Sequence, residues 1–281
     1  MQQLATITVI GRDKTGVIAR VTNFLFQQRA NIEALEEQVT RGQFSMTLQA
    51  SWRDGQLGFK NVEAGLDRLA RELDMEIKLR PARRGHPQRF AIMCTRETHC
   101  VEALLKACRS GALKADPALI LSNRNELKKL AKRSEIPFFH LPWLQRPEAE
   151  ERALQLFEEE KIDFIVLARF MKILSPNFVW RYKNKIINIH PSLLPSFPGP
   201  QPYRQAYERG VKILGVTAHF VTMHLDEGPI IAQSTFPVRS GMGMKEILLT
   251  GQKLEAKVLV KAVKLFLTKR LDVYWGVVKE V

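Results

Sequence analysis

The chain has 281 residues, 45% of them hydrophobic and 26% charged, ordinary proportions for a globular protein with room for one large or two ordinary domains. No apolar run reaches the ~20 residues a membrane helix needs, and the start, MQQLATITVIGRDKTG, lacks the basic-then-apolar layout of a secretory signal, so a cytoplasmic location is expected. The formal net charge of +14 suits acidic partners, but clusters such as Arg80-Arg83-Arg84 and Lys128-Lys129-Lys132-Arg133 are spread along the chain, as on a solvated surface.

Residues 4–10, LATITVI, alternate and are β-branched, which predicts a strand. A turn over Gly11–Gly16 precedes a helix over Val17–Arg29, with apolar residues at 17, 18, 21, 24 and 25. Asn31-Ile32 opens a second strand, and residues 44–50 place Phe44, Met46, Leu48 and Ala50 on one face of a third. Phe59, Val62, Leu66, Leu69 and Leu73 mark an amphipathic helix, and Met75–Leu79 a fourth strand. The order βαββαβ is ferredoxin-like. Residues 80–88, with two prolines, a glycine and three arginines, read as a linker. Proteolysis is expected near Arg83-Arg84.

From Arg89 strands and helices alternate. Strands are expected at 89–94, 117–122, 137–141, 163–168 and 185–189, and helices at 98–108, 124–134, 147–160 and 176–181. That pattern predicts a doubly wound, mostly parallel α/β sheet. The first βα turn, Thr95-Arg96-Glu97-Thr98-His99, holds no glycine, whereas a phosphate or dinucleotide cradle needs several. Cys94, Cys100 and Cys108 form no Cys-x-x-Cys pair and read as free thiols. His99 and Cys100 have no further ligands at usable spacing, so no metal is expected. Further strands at 213–221 and 229–238, a helix at 245–268 and a short strand in LDVYWGVVKEV complete the chain.

The chemistry concentrates in residues 185–233. Asn188 and His190 end an apolar strand on the same face, at the carboxyl edge where open α/β sheets bind ligands. A proline-rich loop follows, then a strand carrying Thr217 and His219, then a loop with Asp226 before Gly228-Pro229. An amide and an imidazolium can hold a carbonyl oxygen as it gains charge, and a carboxylate can take a proton from an attacking nucleophile. Taken singly, these residues are better read as a turn cap, satisfied histidines and a turn-former. Taken together they read as a site.

The Asn188-Ile189-His190 triplet, the Pro191–Gly199 run PSLLPSFPG and the Leu225–Ile230 run LDEGPI resemble the formyltransferase family that uses 10-formyltetrahydrofolate. The phrases Pro202-Tyr203, QAYERGVK at 205–212 and Thr217-Ala218-His219 resemble the formyltetrahydrofolate deformylases within it. One position departs: Pro191 stands where those deformylases usually carry a second histidine. The Asp13-x-x-Gly16 turn before a helix, followed by Asn31-Ile32, resembles an ACT domain.

The resemblance implies an ACT-like regulatory or oligomerisation domain at 1–80, a linker at 81–88 and a Rossmann-like formyltransferase domain at 89–281. It implies hydrolysis of 10-formyltetrahydrofolate to formate and tetrahydrofolate, supplying formate for purine synthesis and balancing one-carbon folate pools. Formyl transfer to an amine acceptor is the alternative. Asn188 and His190 would stabilise the oxyanion, and Asp226 would accept the proton of water. The pterin would lie on the backbone of Met171, Lys172, Ile173 and Leu174, with Thr217, His219, Thr222, Leu225 and Gly228 completing the substrate-binding set. Asp13, Gly16 and Asn31 would form a regulatory site for methionine or glycine, and ACT domains would pair into a homo-oligomer. Folate is the expected partner, as substrate rather than cofactor. Neither nucleic acid nor a membrane is expected.

Overall fold

The structure, a computed structural model, describes residues 3–53, 59–82, 85–268, 271–274 and 276–280. It divides into two compact units, Met1–His86 and Pro87–Val281. Arg83 and Arg84 lie outside the described residues.

The first unit contains β1 (Gln3–Arg12), α1 (Val17–Gln27), β2 (Asn31–Thr40), β3 (Gln43–Trp52), α2 (Phe59–Leu73) and β4 (Glu76–Pro81). Its antiparallel sheet has the order β2-β3-β1-β4, as the βαββαβ pattern predicts. Val17, Val21 and Leu25 of α1 and Val62, Leu66, Leu69 and Leu73 of α2 pack with Ile7, Val9, Met46 and Leu48 of the sheet. Each such leucine or valine contributes ~1.5–3 kcal/mol through burial. Gly16, at φ 89°, starts α1, a backbone state that side chains with a Cβ resist. The edge strand β2 leaves most of its side chains exposed, Leu35 and Val39 among them.

The second unit contains β5 (Gln88–Cys94), α3 (His99–Arg109), β6 (Ala115–Ser122), α4 (Lys128–Arg133), β7 (Phe138–His140), α5 (Arg146–Glu159), β8 (Phe164–Ala168), α6 (Pro176–Arg181), β9 (Ile186–His190), α7 (Pro202–Glu208), β10 (Ile213–Phe220), β11 (Ile230–Pro237), α8 (Met244–Leu267), β12 (Leu271–Tyr274) and β13 (Val277–Glu280). The large sheet runs β11-β10-β9-β8-β5-β6-β7. β5 to β9 are parallel, while β10 and β11 add an antiparallel edge. Because central strands are buried on both faces, they read as continuous apolar runs; Phe164–Ala168 is buried throughout. One face packs against α3 and α8 through Leu104, Val258, Leu259 and Val263. The other packs against α5 and α6 through Ala153, Phe157 and Phe178.

Three elements differ from expectation. α4 starts at Lys128 rather than 124, because Arg124 N–H bonds Ser122 Oγ (3.1 Å) and Lys128 N–H bonds the Asn125 carbonyl (3.0 Å) in a turn; such local bonds compete with the helix. α7 was hidden by the prolines before it, although Pro202 sits in its first turn, where a missing N–H costs nothing. The C-terminal stretch forms a hairpin of two strands, with Gly276 at φ 75°, rather than one strand.

Cys94 and Cys100 are buried and Cys108 half-buried, all unpaired. Burial pushes the Cys94 thiol up to about 12. Burial, with Asp116 nearby, pushes Cys108 up to about 11. Among the described residues no helix is long and apolar enough to cross a membrane.

Candidate active site

Strand register brings the site together. Leu167 of β8 lies level with Asn188 of β9. On the other side β10 runs antiparallel, with Thr217 opposite His190 and His219 opposite Asn188. The carboxyl end of β9 thus stands beside both neighbours, and the loops that follow close over it. A cleft of about 380 Å³ results. Asn188, His190 and Asp226 line it, as do Met171, Lys172, Ile173, Leu174, His219, Thr222 and Leu225.

His219 is 2% exposed. Its Nδ1 lies 2.9 Å from the Phe220 carbonyl oxygen, so that nitrogen carries the proton and donates. The bare Nε2 accepts from the Asn188 side-chain N–H at 3.2 Å. A neutral His219 therefore sets which way the Asn188 amide points and leaves its second N–H for a ligand. Burial lowers the His219 pKa, outweighing the Phe220 carbonyl and the Asp226 charge.

That neutrality has a cost in acid. The unfolded chain protonates its histidines near pH 6.5, whereas folded His219 resists. The unfolded state binds the extra proton below that pH, so stability is full above it and falls as pH drops through it. Urea midpoints are expected to decrease between pH 7.5 and pH 5.5, by up to about 1.4 kcal/mol per pH unit for this one group. His219→Gln should narrow the difference; an identical pH dependence in that variant would exclude His219 as its source.

His190 has both ring nitrogens engaged. Nε2 lies 3.1 Å from the Phe197 carbonyl oxygen, and Nδ1 lies 3.3 Å from Asp226 Oδ2. Asp226 Oδ2 also accepts from the Gly199 N–H at 3.0 Å. Its other oxygen, Oδ1, lies 3.8 Å from His219 Nε2. Phe197, Gln201 and Asp226 hold positive φ of 53°, 53° and 57°, a concentration of strained backbone of the kind found at functional sites.

His190 lines the cleft with Nε2 on the Phe197 carbonyl and Nδ1 within 3.3 Å of Asp226, and Asn188 has a second N–H to spare. Several expectations need correction. Thr217 does not reach the cleft. Its hydroxyl donates to the Ser192 carbonyl (2.8 Å) and accepts from Leu194 N–H (3.0 Å) and Gln233 Nε2 (2.9 Å), which pins the proline-rich loop. Gly228 is no lining residue either. A Cβ there would sit 1.7 Å from the Phe220 carbonyl oxygen, so glycine lets the loop lie against the carbonyl that fixes His219. In the first unit, Asp13 and Gly16 follow the end of β1, while Asn31 pairs with Ser51, itself opposite Leu4 at the start of β1. The three regulatory candidates therefore sit at opposite ends of one sheet, because β1 and β2 run parallel with β3 between them. Asn31 instead bonds Glu33 (3.0 Å).

Sequence spacing missed one group altogether. Glu255, on the buried face of α8, accepts from His99 Nε2 (3.0 Å) and Tyr203 O–H (3.0 Å), with Arg169 Nε at 3.5 Å. Burial alone would raise the Glu255 pKa, but the His99 bond, the Arg169 charge and the Tyr203 hydroxyl hold it below its ordinary value. With Cys100, the Glu255 and His99 donor atoms lie within 4.8 Å of one another, a third donor that spacing had not offered. The chemistry fits an ion-pair network rather than a metal. The carboxylate oxygens already have partners, a guanidinium stands beside them, and burial pushes the Cys100 thiol well up, away from the thiolate a metal needs. The readable signal was an acidic residue at 255 within the apolar spacing 247, 251, 258, 259, 262.

The sequence pattern of the formyl transferase family matches residues 88–263, and that of the ACT domain matches residues 3–80. A formyltetrahydrofolate deformylase from Bacillus subtilis is 37% identical over 267 residues, covering 93% of this chain and 88% of that protein. The crystal structure of a formyltetrahydrofolate deformylase from Burkholderia mallei superposes with a TM-score of 0.67 at 30% identity, covering 99% of both chains. A glycinamide ribonucleotide transformylase from Symbiobacterium toebii reaches a TM-score of 0.68 at 30% identity, but covers only 70% of this chain and 96% of that one. Both families of fold share the catalytic unit, and the likeness to the deformylases extends over the amino-terminal unit as well. The chain belongs to the formyl transferase family and, within it, to the formyltetrahydrofolate deformylases.

Proposed function

We propose that the chain hydrolyses 10-formyltetrahydrofolate to formate and tetrahydrofolate, supplying formate for purine synthesis and balancing one-carbon folate pools. One observation carries the mechanism: Asp226 has one oxygen beside His190 and the Gly199 N–H, while among the described residues Oδ1 has only His219 Nε2, at 3.8 Å, in a cleft that also presents the Asn188 amide. Water attacks the formyl carbon and gives its proton to Oδ1. The former carbonyl oxygen takes the spare Asn188 N–H. His190, paired with Asp226 at 3.3 Å, keeps that carboxylate in place. Collapse breaks the bond to N10, which takes the proton, and formate leaves. The reaction needs no cofactor, because the folate itself carries the one-carbon unit.

Incubation with 10-formyltetrahydrofolate alone is expected to give formate and tetrahydrofolate in equal amounts. Product that forms only with an added amine would overturn hydrolysis in favour of transfer. Pro191 lies in the cleft lining, so the departure at that position faces the chemistry.

We assign catalysis to the domain at 89–281 and regulation or assembly to 1–80. The exposed edge of β2, with Leu35 and Val39 uncovered, supports pairing between copies. Methionine and glycine are the proposed effectors, bound where copies meet, since the candidate residues do not converge within one chain. Calorimetric heat with either amino acid, and a change in turnover, are expected only in species larger than a monomer by light scattering. A monomer that responds equally would refute that arrangement. Three unpaired thiols fit a reducing, cytoplasmic setting.

A further inference from the structure

Arg169 follows β8 and lines the same cleft as Asn188, His190 and Asp226. Its side chain is 22% exposed, and its Nε is buried without a hydrogen-bond partner. Among the described residues its partner is Glu255, at 3.5 Å. That distance neutralises charge without making a good hydrogen bond. Glu255, with its side chain 1% exposed, directs its oxygens to His99 and Tyr203. The cation is thus held from behind through Nε, while among the described residues no hydrogen bond engages the rest of its fork. Backbone at φ 62° holds it there, in the region non-glycine residues avoid. A buried donor left unsatisfied is costly, and a planar guanidinium matches a carboxylate through two parallel bonds.

We propose that Arg169 is a carboxylate subsite beside the catalytic group. The inference rests on the hydrolytic reading for its first source of ligand, the formate released in the cleft. The glutamate tail of the folate is a second source with the same chemistry. Glu255 is then a positioning residue, holding the guanidinium toward the cleft without competing for its fork.

Binding of ¹³C-formate, followed by NMR with no turnover, tests this apart from the reaction. The parent protein should bind formate, and Arg169→Ala should weaken it about 10- to 100-fold, the range for charge-assisted bonds. Arg169→Lys, which keeps the charge but loses the fork, should fall between. Far-ultraviolet circular dichroism and thermal unfolding establish that the variants are folded. If formate affinity is unchanged but Arg169→Ala no longer distinguishes a folate analogue from one lacking the glutamate, the subsite reads the tail. If neither carboxylate loses affinity, or formate does not bind the parent and the tail makes no difference, the proposal is overturned. A parent that binds formate but does not hydrolyse the substrate would sink the hydrolytic reading and leave the subsite standing.

Discussion

Asp226→Asn is expected to lower hydrolysis by about 10²–10⁴-fold, the contribution of a positioned general base. The substitution keeps the shape, and its carbonyl oxygen can still accept from the Gly199 N–H. It removes the charge, and with it the ability of Oδ1 to take a proton. KM should change little, because the proposed pterin contacts lie on the 171–174 backbone. His190→Ala should also reduce kcat, through its pairing with Asp226. The double variant should lose less than the product of the two single losses, because the pair acts as one unit. Multiplicative losses would show that His190 has a separate role, such as direct contact with the oxyanion. Parental turnover in Asp226→Asn would dismiss the mechanism whatever the family.

Asn188→Ala is expected to cost about 10²–10³-fold in kcat, the loss recorded for removing one oxyanion donor. The effect should fall on kcat rather than KM, because the bond strengthens only as charge develops. His219→Gln supplies the internal control. It leaves Asn188 in place but exchanges the fixed ring acceptor that orients it for a flexible amide, so its loss should be smaller and of the same kind. Should His219→Gln raise KM instead, His219 contacts the folate and does not merely aim the amide.

Much of this was legible because it is local. Alternation and 3.6-residue spacing placed both halves of the fold, and Asn188 and His190 share a strand two residues apart. Asp226 lay in a short loop whose neighbours are distinctive. What escaped was set by pairings distant in the chain. Thr217 looked like a ligand because it shares a strand with His219, yet its hydroxyl is consumed by a loop 25 residues earlier. Glu255 is 156 residues from His99, and only the packing of α8 against α3 joins them. The second bond of His190 goes to a backbone carbonyl, which no side-chain pattern announces. Asp13 and Asn31 match a motif by spacing, while strand direction separates them.

The state of the three cysteines has a practical consequence. Thiols raised to about 12 and about 11, with Cys100 raised as well, present roughly a hundredth or less of the thiolate that an ordinary thiol presents near neutral pH. The chain as it stands is expected to react slowly with maleimides and iodoacetamides. A single cysteine introduced at a cleft-lip position such as Leu225, which is 53% exposed, would carry a fluorophore in a one-pot reaction without first removing the natural three. The same scaffold could then be titrated with folate or formate and watched by emission, keeping its own core intact.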